Sequence, residues 1–135
     1  MFRQGDLKRL LRSGSVPLTP VQRLSICHDA SLALSHLASR QVVHADVAAR
    51  NFLVTGSLSV RLASVAAARG ADAGDYCELA GGRLVPLRWL APESALAATY
   101  TAASDVWAYA ILVTEVSSRG DASLTCSTAS LPTAH

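Results

Sequence analysis

The chain is short of the residues that would place it in several broad classes. Charged residues are only 16% of the 135, and twelve Lys and Arg against ten Asp and Glu leave a net charge of +2. That is too little to hold a nucleic acid or an acidic membrane surface. The three cysteines, Cys27, Cys77 and Cys126, are odd in number and lack C-x-x-C spacing, which argues against a disulfide framework or a zinc site and fits a reducing cytosol. No apolar run reaches the roughly 20 residues of a membrane helix. The longest, Val106 to Val116, contains Thr114 and Glu115. The opening MFRQGDLKR has no apolar signal-peptide core. What the chain does have is apolar bulk: 50% of it is hydrophobic, and its length suits one domain rich in core and poor in solvated surface.

Against that background the segment His44 to Asn51, HADVAARN, carries chemistry. In phosphoryl transfer a protein supplies one carboxylate to orient a hydroxyl nucleophile and further oxygens to hold Mg²⁺ on the triphosphate. Asp46 suits the first task. Asn51 offers a neutral amide oxygen to a metal, and Arg50 stands between them as a cation for substrate or phosphate. One amide is a poor Mg²⁺ site, because this hard cation usually takes at least one carboxylate.

These residues make the chain resemble the protein tyrosine kinase family, whose catalytic loop runs H-R-D-L-A-A-R-N. His44, Asp46, Ala48, Ala49, Arg50 and Asn51 match it. GDLKRLLR at Gly5 to Arg12 resembles the helix after the hinge, VPLRWLAPES at Val85 to Ser94 the substrate loop running into A-P-E, and SDVWAYAILVTEV at Ser104 to Val116 the central helix of the C-terminal lobe. The likeness covers roughly Met1 to Arg119. Within the family it is nearest the inactive receptor type known as colon carcinoma kinase or off-track, which also spoils D-F-G and the H-R-D arginine.

The departures bear on function. Where the family has D-F-G, this chain aligns Ser64, Val65 and Ala66, so the second metal carboxylate is missing. Metal charge stabilisation is worth several kcal/mol, or several powers of ten at about 1.4 kcal/mol per decade. Ala66 also lacks the freedom of glycine at positive φ. Ala45 replaces the arginine that in the family meets a phosphate on the activation segment. Only four residues precede GDLK, so the glycine-rich loop, the strand lysine and the helix glutamate of an N-terminal lobe have no counterpart. After Val116 the Ser/Thr/Ala-rich text loses its apolar period. The expected organisation is a partial kinase-like C-terminal lobe over 1–118 and a disordered tail over 119–135. Arg119-Gly120-Asp121, an adhesion tripeptide, reads as coincidence in such a tail.

The expected fold class is mainly α (α+β), helices plus a small β-hairpin with the N-terminal lobe absent. Thr19-Pro20 starts a helix over Pro20 to Ser39, its apolar face drawn through Val21, Leu24, Cys27, Ser31, Leu34 and Leu37. Val42-Val43, Phe52 to Val54 and Leu58 to Leu62 are β-prone, the last two joined by a Thr55-Gly56-Ser57 turn. A short helix is expected over Pro92 to Ala97, and a longer one capped by Ser104 and reaching Ser117. Removal of covering segments should expose Trp107, Tyr109 and Leu112.

Each residue singled out also has a plainer role. His44 reads as a packed loop residue, since no second His or Cys lies at metal spacing. The resemblance makes Asp105 an acceptor for backbone N–H groups around His44, leaves Glu93 solvated without its arginine partner, and gives Arg88 and Trp89 to packing of the substrate loop. Tyr76 is expected to be exposed and is a candidate phosphosite. Asp46, Arg50 and Asn51 are then vestigial, with no metal and no cofactor bound. Three function classes stay open: an inactive lobe that scaffolds receptor signalling through signalling proteins, a working tyrosine kinase using ATP and magnesium, and a truncated product without function. The partners implied are proteins rather than nucleic acid. The location is cytoplasmic, which leaves room for a membrane receptor as the parent.

Overall fold

A computed structural model describes residues 5–63, 75–79 and 81–118. Helix α1 (Leu7–Ser13) begins at Asp6, whose carboxylate accepts from the Arg9 amide, and stops at Gly14 with φ 59°. The left-handed turn there suits a residue without Cβ. Helix α2 (Pro20–Ser39) has the predicted bounds. Thr19 and Gln22 form a reciprocal capping box, and Pro20 fills the first turn, where a missing N–H costs nothing.

The buried face of α2 is rotated from the expected one. Val21 and Leu24 are 76% and 71% exposed, whereas Ile26 and Ala30 are buried and Cys27 and Leu34 pack partly against the core. The reason is polar: Arg23 turns inward to donate to the Val116 carbonyl, and Asp29 accepts from Ser59 Oγ at 2.6 Å and Val60 N at 3.2 Å. Those contacts fix which stripe of α2 meets its neighbours.

Val42-Val43 is not a strand. Gln41 has φ 56°, its amide donates to Ala38, and the Val42 amide reaches back to the Leu37 carbonyl. These bonds close the end of α2 as a Schellman motif, so the amide a strand would need is spent. Strands β1 (Phe52–Val54) and β2 (Val60–Leu62) pair antiparallel with Phe52 opposite Leu62. The second strand starts later than predicted because Leu58, at φ 61°, lies in the turn and donates to Thr55 O. A second hairpin, unforeseen, joins β3 (Cys77–Leu79) to β4 (Arg83–Val85) through Gly81 and Gly82, both at positive φ.

Helix α3 (Pro92–Ala97) has the predicted bounds. Helix α4 (Ala102–Ser117) is capped by Thr101 rather than Ser104. Both hydroxyls belong to one capping box, with Ser104 as its inner member, so the helix starts earlier than its second cap residue suggested. The core gathers Leu7, Leu11, Ile26, Ala30, Phe52, Val54, Val60, Trp89, Leu112 and Val116 around Val47 to Ala49. Each large member buried there contributes about 1.5–3 kcal/mol. Leu112 is fully buried and Tyr109 donates to the Cys27 carbonyl at 2.9 Å, so of the three residues expected at the surface only Trp107 is exposed. Among the described residues the architecture is mainly helical with two small antiparallel sheets, as an α+β reading requires.

Candidate functional site

The loop before β1 is set from below by α4. Asp105 accepts from the amides of His44 at 2.7 Å and Ala45 at 2.9 Å, the role expected of it. Those two bonds hold Ala45 at φ 67°, a left-handed conformation that costs a non-glycine residue roughly 1–2 kcal/mol. His44 packs as a loop residue: Nε2 lies 3.2 Å from the Ala63 carbonyl and Nδ1 accepts from the Asp46 amide at 3.3 Å. Among the described residues no three His, Cys, Asp or Glu side chains converge as a metal cluster.

Glu115 completes the support and was missed in the sequence, where it figured only as an interruption of an apolar run. It is 1% exposed and accepts from the Ala49 amide and the Trp89 indole, each at 3.0 Å. Burial raises its pKa, opposed by those two donors and by the Arg50 charge. A signal was present: Asp105, Ala108, Leu112 and Glu115 follow helical spacing, so a lone carboxylate falls on the buried stripe.

Above the loop the expected trio does converge. Asp46 Oδ1 accepts from the Arg50 guanidinium. The Asn51 amide donates to Asp46 Oδ2 at 2.9 Å and to the Asp46 carbonyl at 2.6 Å, which leaves the Asn51 oxygen as the end able to meet a cation. Asp46 and Asn51 are both buried. Arg50 lies over the Trp89 ring at 4.4 Å and the Tyr76 ring at 4.9 Å. Arg88 stacks on Trp89 from 5.6 Å.

Tyr76 departs from expectation. It is half-buried, not exposed, and its hydroxyl donates to Asp46 Oδ2 at 3.2 Å while accepting from Arg50 Nε at 3.2 Å. Desolvation raises its pKa, with the Arg50 charge opposing. A carboxylate flanked by a cation offers a phenol both an acceptor and a donor, which a solvated loop position cannot match. Beside it Asp75 pairs with Lys8 of α1 and lies 3.7 Å from Arg50 Nη1. Neither Lys8 nor Asp75 stood out in the sequence, because their partnership spans 67 positions. Glu93 is exposed on α3, as expected. Ser64, Val65 and Ala66 lie outside the described residues, as does the segment 119–135.

A family model described as protein tyrosine and serine/threonine kinase matches residues 1–131. The chain belongs to this kinase family. Inactive tyrosine-protein kinase 7 from Homo sapiens is 34% identical over 125 residues, covering 87% of this chain and 12% of that protein. Its Mus musculus counterpart is 33% identical over the same length. Discoidin domain-containing receptor tyrosine kinase B from Caenorhabditis elegans is 36% identical over 112 residues, 83% of this chain and 14% of that protein. The chain thus spans about an eighth of its curated relatives' length, and those relatives include kinases named as inactive and a receptor named as a tyrosine kinase. No helix among the described residues is long and apolar enough to cross a membrane.

Proposed function

We propose that this chain is a catalytically inactive tyrosine-kinase-like domain that works by protein–protein interaction in receptor signalling, on the cytoplasmic side of its parent protein. The observation that carries the reading is the state of Asp46. Oδ1 accepts from Arg50 and Oδ2 from Asn51 and Tyr76, so most of the carboxylate's lone pairs are engaged by the chain's own side chains and a substrate hydroxyl must compete with them. The aligned serine at Ser64 adds to this, since a neutral hydroxyl cannot replace the carboxylate that Mg²⁺ requires. On this reading the chain holds neither ATP nor magnesium, residues 1–118 form the interacting lobe, and 119–135 are an appended tail. Asp46, Arg50 and Asn51 keep the loop's shape rather than its chemistry. Tyr76 becomes a phosphosite only after it leaves Asp46.

One observation favours the alternative of a working kinase. Asp46, Arg50 and Asn51 are present and mutually positioned, and among the relatives stand receptors named as kinases. The two readings separate in a transfer assay with the whole chain, magnesium, labelled ATP and a tyrosine peptide. The inactive reading expects no phosphotyrosine from the natural sequence. Product from the natural sequence would establish the kinase.

A further inference from the structure

The two longest helices break the usual pattern of a surface helix, in which charged residues take the face away from the core. Between them α2 and α4 carry four Asp, Glu, Lys or Arg residues, and each is spent inward. Arg23 donates to the Val116 carbonyl, Asp29 accepts from Ser59 and Val60, Asp105 holds the His44 and Ala45 amides, and Glu115 holds Ala49 and Trp89. No charged side chain is left for the outward face of either helix. What stands there is apolar or neutral: Leu32 and Val106 are 56% and 64% exposed, together with Val21, Leu24 and Ala110. The bonds from Arg23 to Val116 and from Tyr109 to Cys27 set the helices side by side and antiparallel. Leu24 then falls level with Val113, His28 with Ala110 and Leu32 with Val106, to within a turn, so the two outward faces form one surface.

We propose that this surface pairs with the same surface of a second copy of the chain, in a closed twofold dimer. Setting a helix face against itself ordinarily brings like charges together, at a cost of several kcal/mol, and this face has no charge to oppose. It also has the composition of an interface core, from which Lys, Glu and Asp are depleted. The size is sufficient. Helix α4 is about 24 Å long at 1.5 Å per residue, and two helices roughly 8–10 Å apart make a strip about 20 Å wide. That footprint of about 500 Å² per copy, before the relief of the side chains is added, approaches the roughly 800 Å² of accessible surface per partner in a standard interface. An interface at this lower edge gives a reversible dimer, with Kd in the micromolar range. The inference names a first partner for the interaction role proposed above and rests on that role for its use in signalling.

The test is sedimentation equilibrium of the full chain between about 1 and 100 μM, the span over which a micromolar pair assembles. The mass should rise from 14.1 kDa to twice that and stop there, because a twofold contact closes on itself. Added salt should not weaken the pair, since no charges meet across it. Leu24→Asp and, separately, Val106→Asp should each weaken it at least about tenfold, whereas Leu84→Asp, at a comparably exposed leucine of β4, should leave it unchanged. Leu24 and Val106 are solvated in the single chain, so the variants keep its fold. Growth beyond two copies, a dimer that dissociates in salt, or a dimer that survives both aspartates would each overturn the proposal. A monomer at every concentration would overturn it too, and a hydrophobic dye then reports the occupant. No dye binding gives the face to the chain's own residues, and strong binding leaves it to a different protein. Phosphotyrosine made by a chain that dimerises would sink the inactive reading alone. A silent chain that stays monomeric would sink the dimer alone.

Discussion

Two pairs of carboxylates serve the loop from His44 to Asn51, one of them including the loop's own Asp46, and they do different work. Below it, Asp105 and Glu115 from α4 address backbone amides and one indole N–H. Above it, Asp46 and Asp75 address cations and a phenol. A support that reads N–H groups is indifferent to which side chain the loop carries. Ala45 can therefore stand where the family has arginine while the left-handed turn at that position persists. The lower pair preserves shape and the upper pair determines chemistry. A chain can keep the first and lose the second, which is why membership of a kinase family does not by itself establish catalysis.

Breaking the lower pair should cost most. Asp105→Ala leaves two loop amides without an acceptor, and the expected loss is about 3 kcal/mol of folding stability by urea denaturation. A loss below about 1 kcal/mol would mean that water replaces the carboxylate easily. Glu115→Ala should cost about 2 kcal/mol by stranding the Ala49 amide and the Trp89 indole. Glu115→Gln keeps an acceptor and removes a desolvated charge, so its cost should stay under about 1 kcal/mol.

The pH dependence sharpens the same contrast. Because the Glu115 pKa is raised above 4.5 by burial, the folded state holds its proton longer than the unfolded chain. Its contribution to stability is complete below 4.5 and is lost as pH rises through the folded value. Urea midpoints of Glu115→Gln should lack that decline, which other carboxylates cannot imitate when they are salt-bridged.

Breaking the upper pair should cost less. Lys8→Met strands Asp75, but Arg50 Nη1 remains 3.7 Å away to share the charge. The expected loss is about 1–2 kcal/mol, against the roughly 3–5 kcal/mol typical of a buried pair with no second cation. Tyr76→Phe removes two phenol hydrogen bonds, one to Asp46 and one from Arg50, and should cost about 1–2 kcal/mol in all. The variant should also lose an absorbance titration component above pH 10, since burial raises that phenol. Burial raises Tyr109 as well, so the readout is the loss of one component beside the one that Tyr109 keeps; an undiminished amplitude above pH 10 would show that Tyr76 is solvated.

Much of this was legible in the sequence where signals are local. Thr19, Pro20 and Gln22 specify a helix start within four residues, and α2 and α3 have the bounds that the sequence predicts. The HADVAARN spacing placed Asp46, Arg50 and Asn51 together, and the family likeness gave Asp105 its backbone partners. What could not be read required partners distant in the chain. Val42 looked β-prone, yet its amide closes a helix end. The α2 face was misjudged because Arg23 and Asp29 spend their polar groups inward. Tyr76 seemed a solvated loop residue because nothing near it in sequence announces the Asp46 carboxylate it meets.

The central claim is that the loop keeps its shape without the nucleotide chemistry. The most direct measurement is the melting temperature of the chain with and without millimolar Mg·ATP. Binding to the folded state alone stabilises by RT ln(1 + [L]/Kd). The account predicts no change, since Ser64 offers the metal no charge. A rise of several degrees would show that a nucleotide is held and would contradict it.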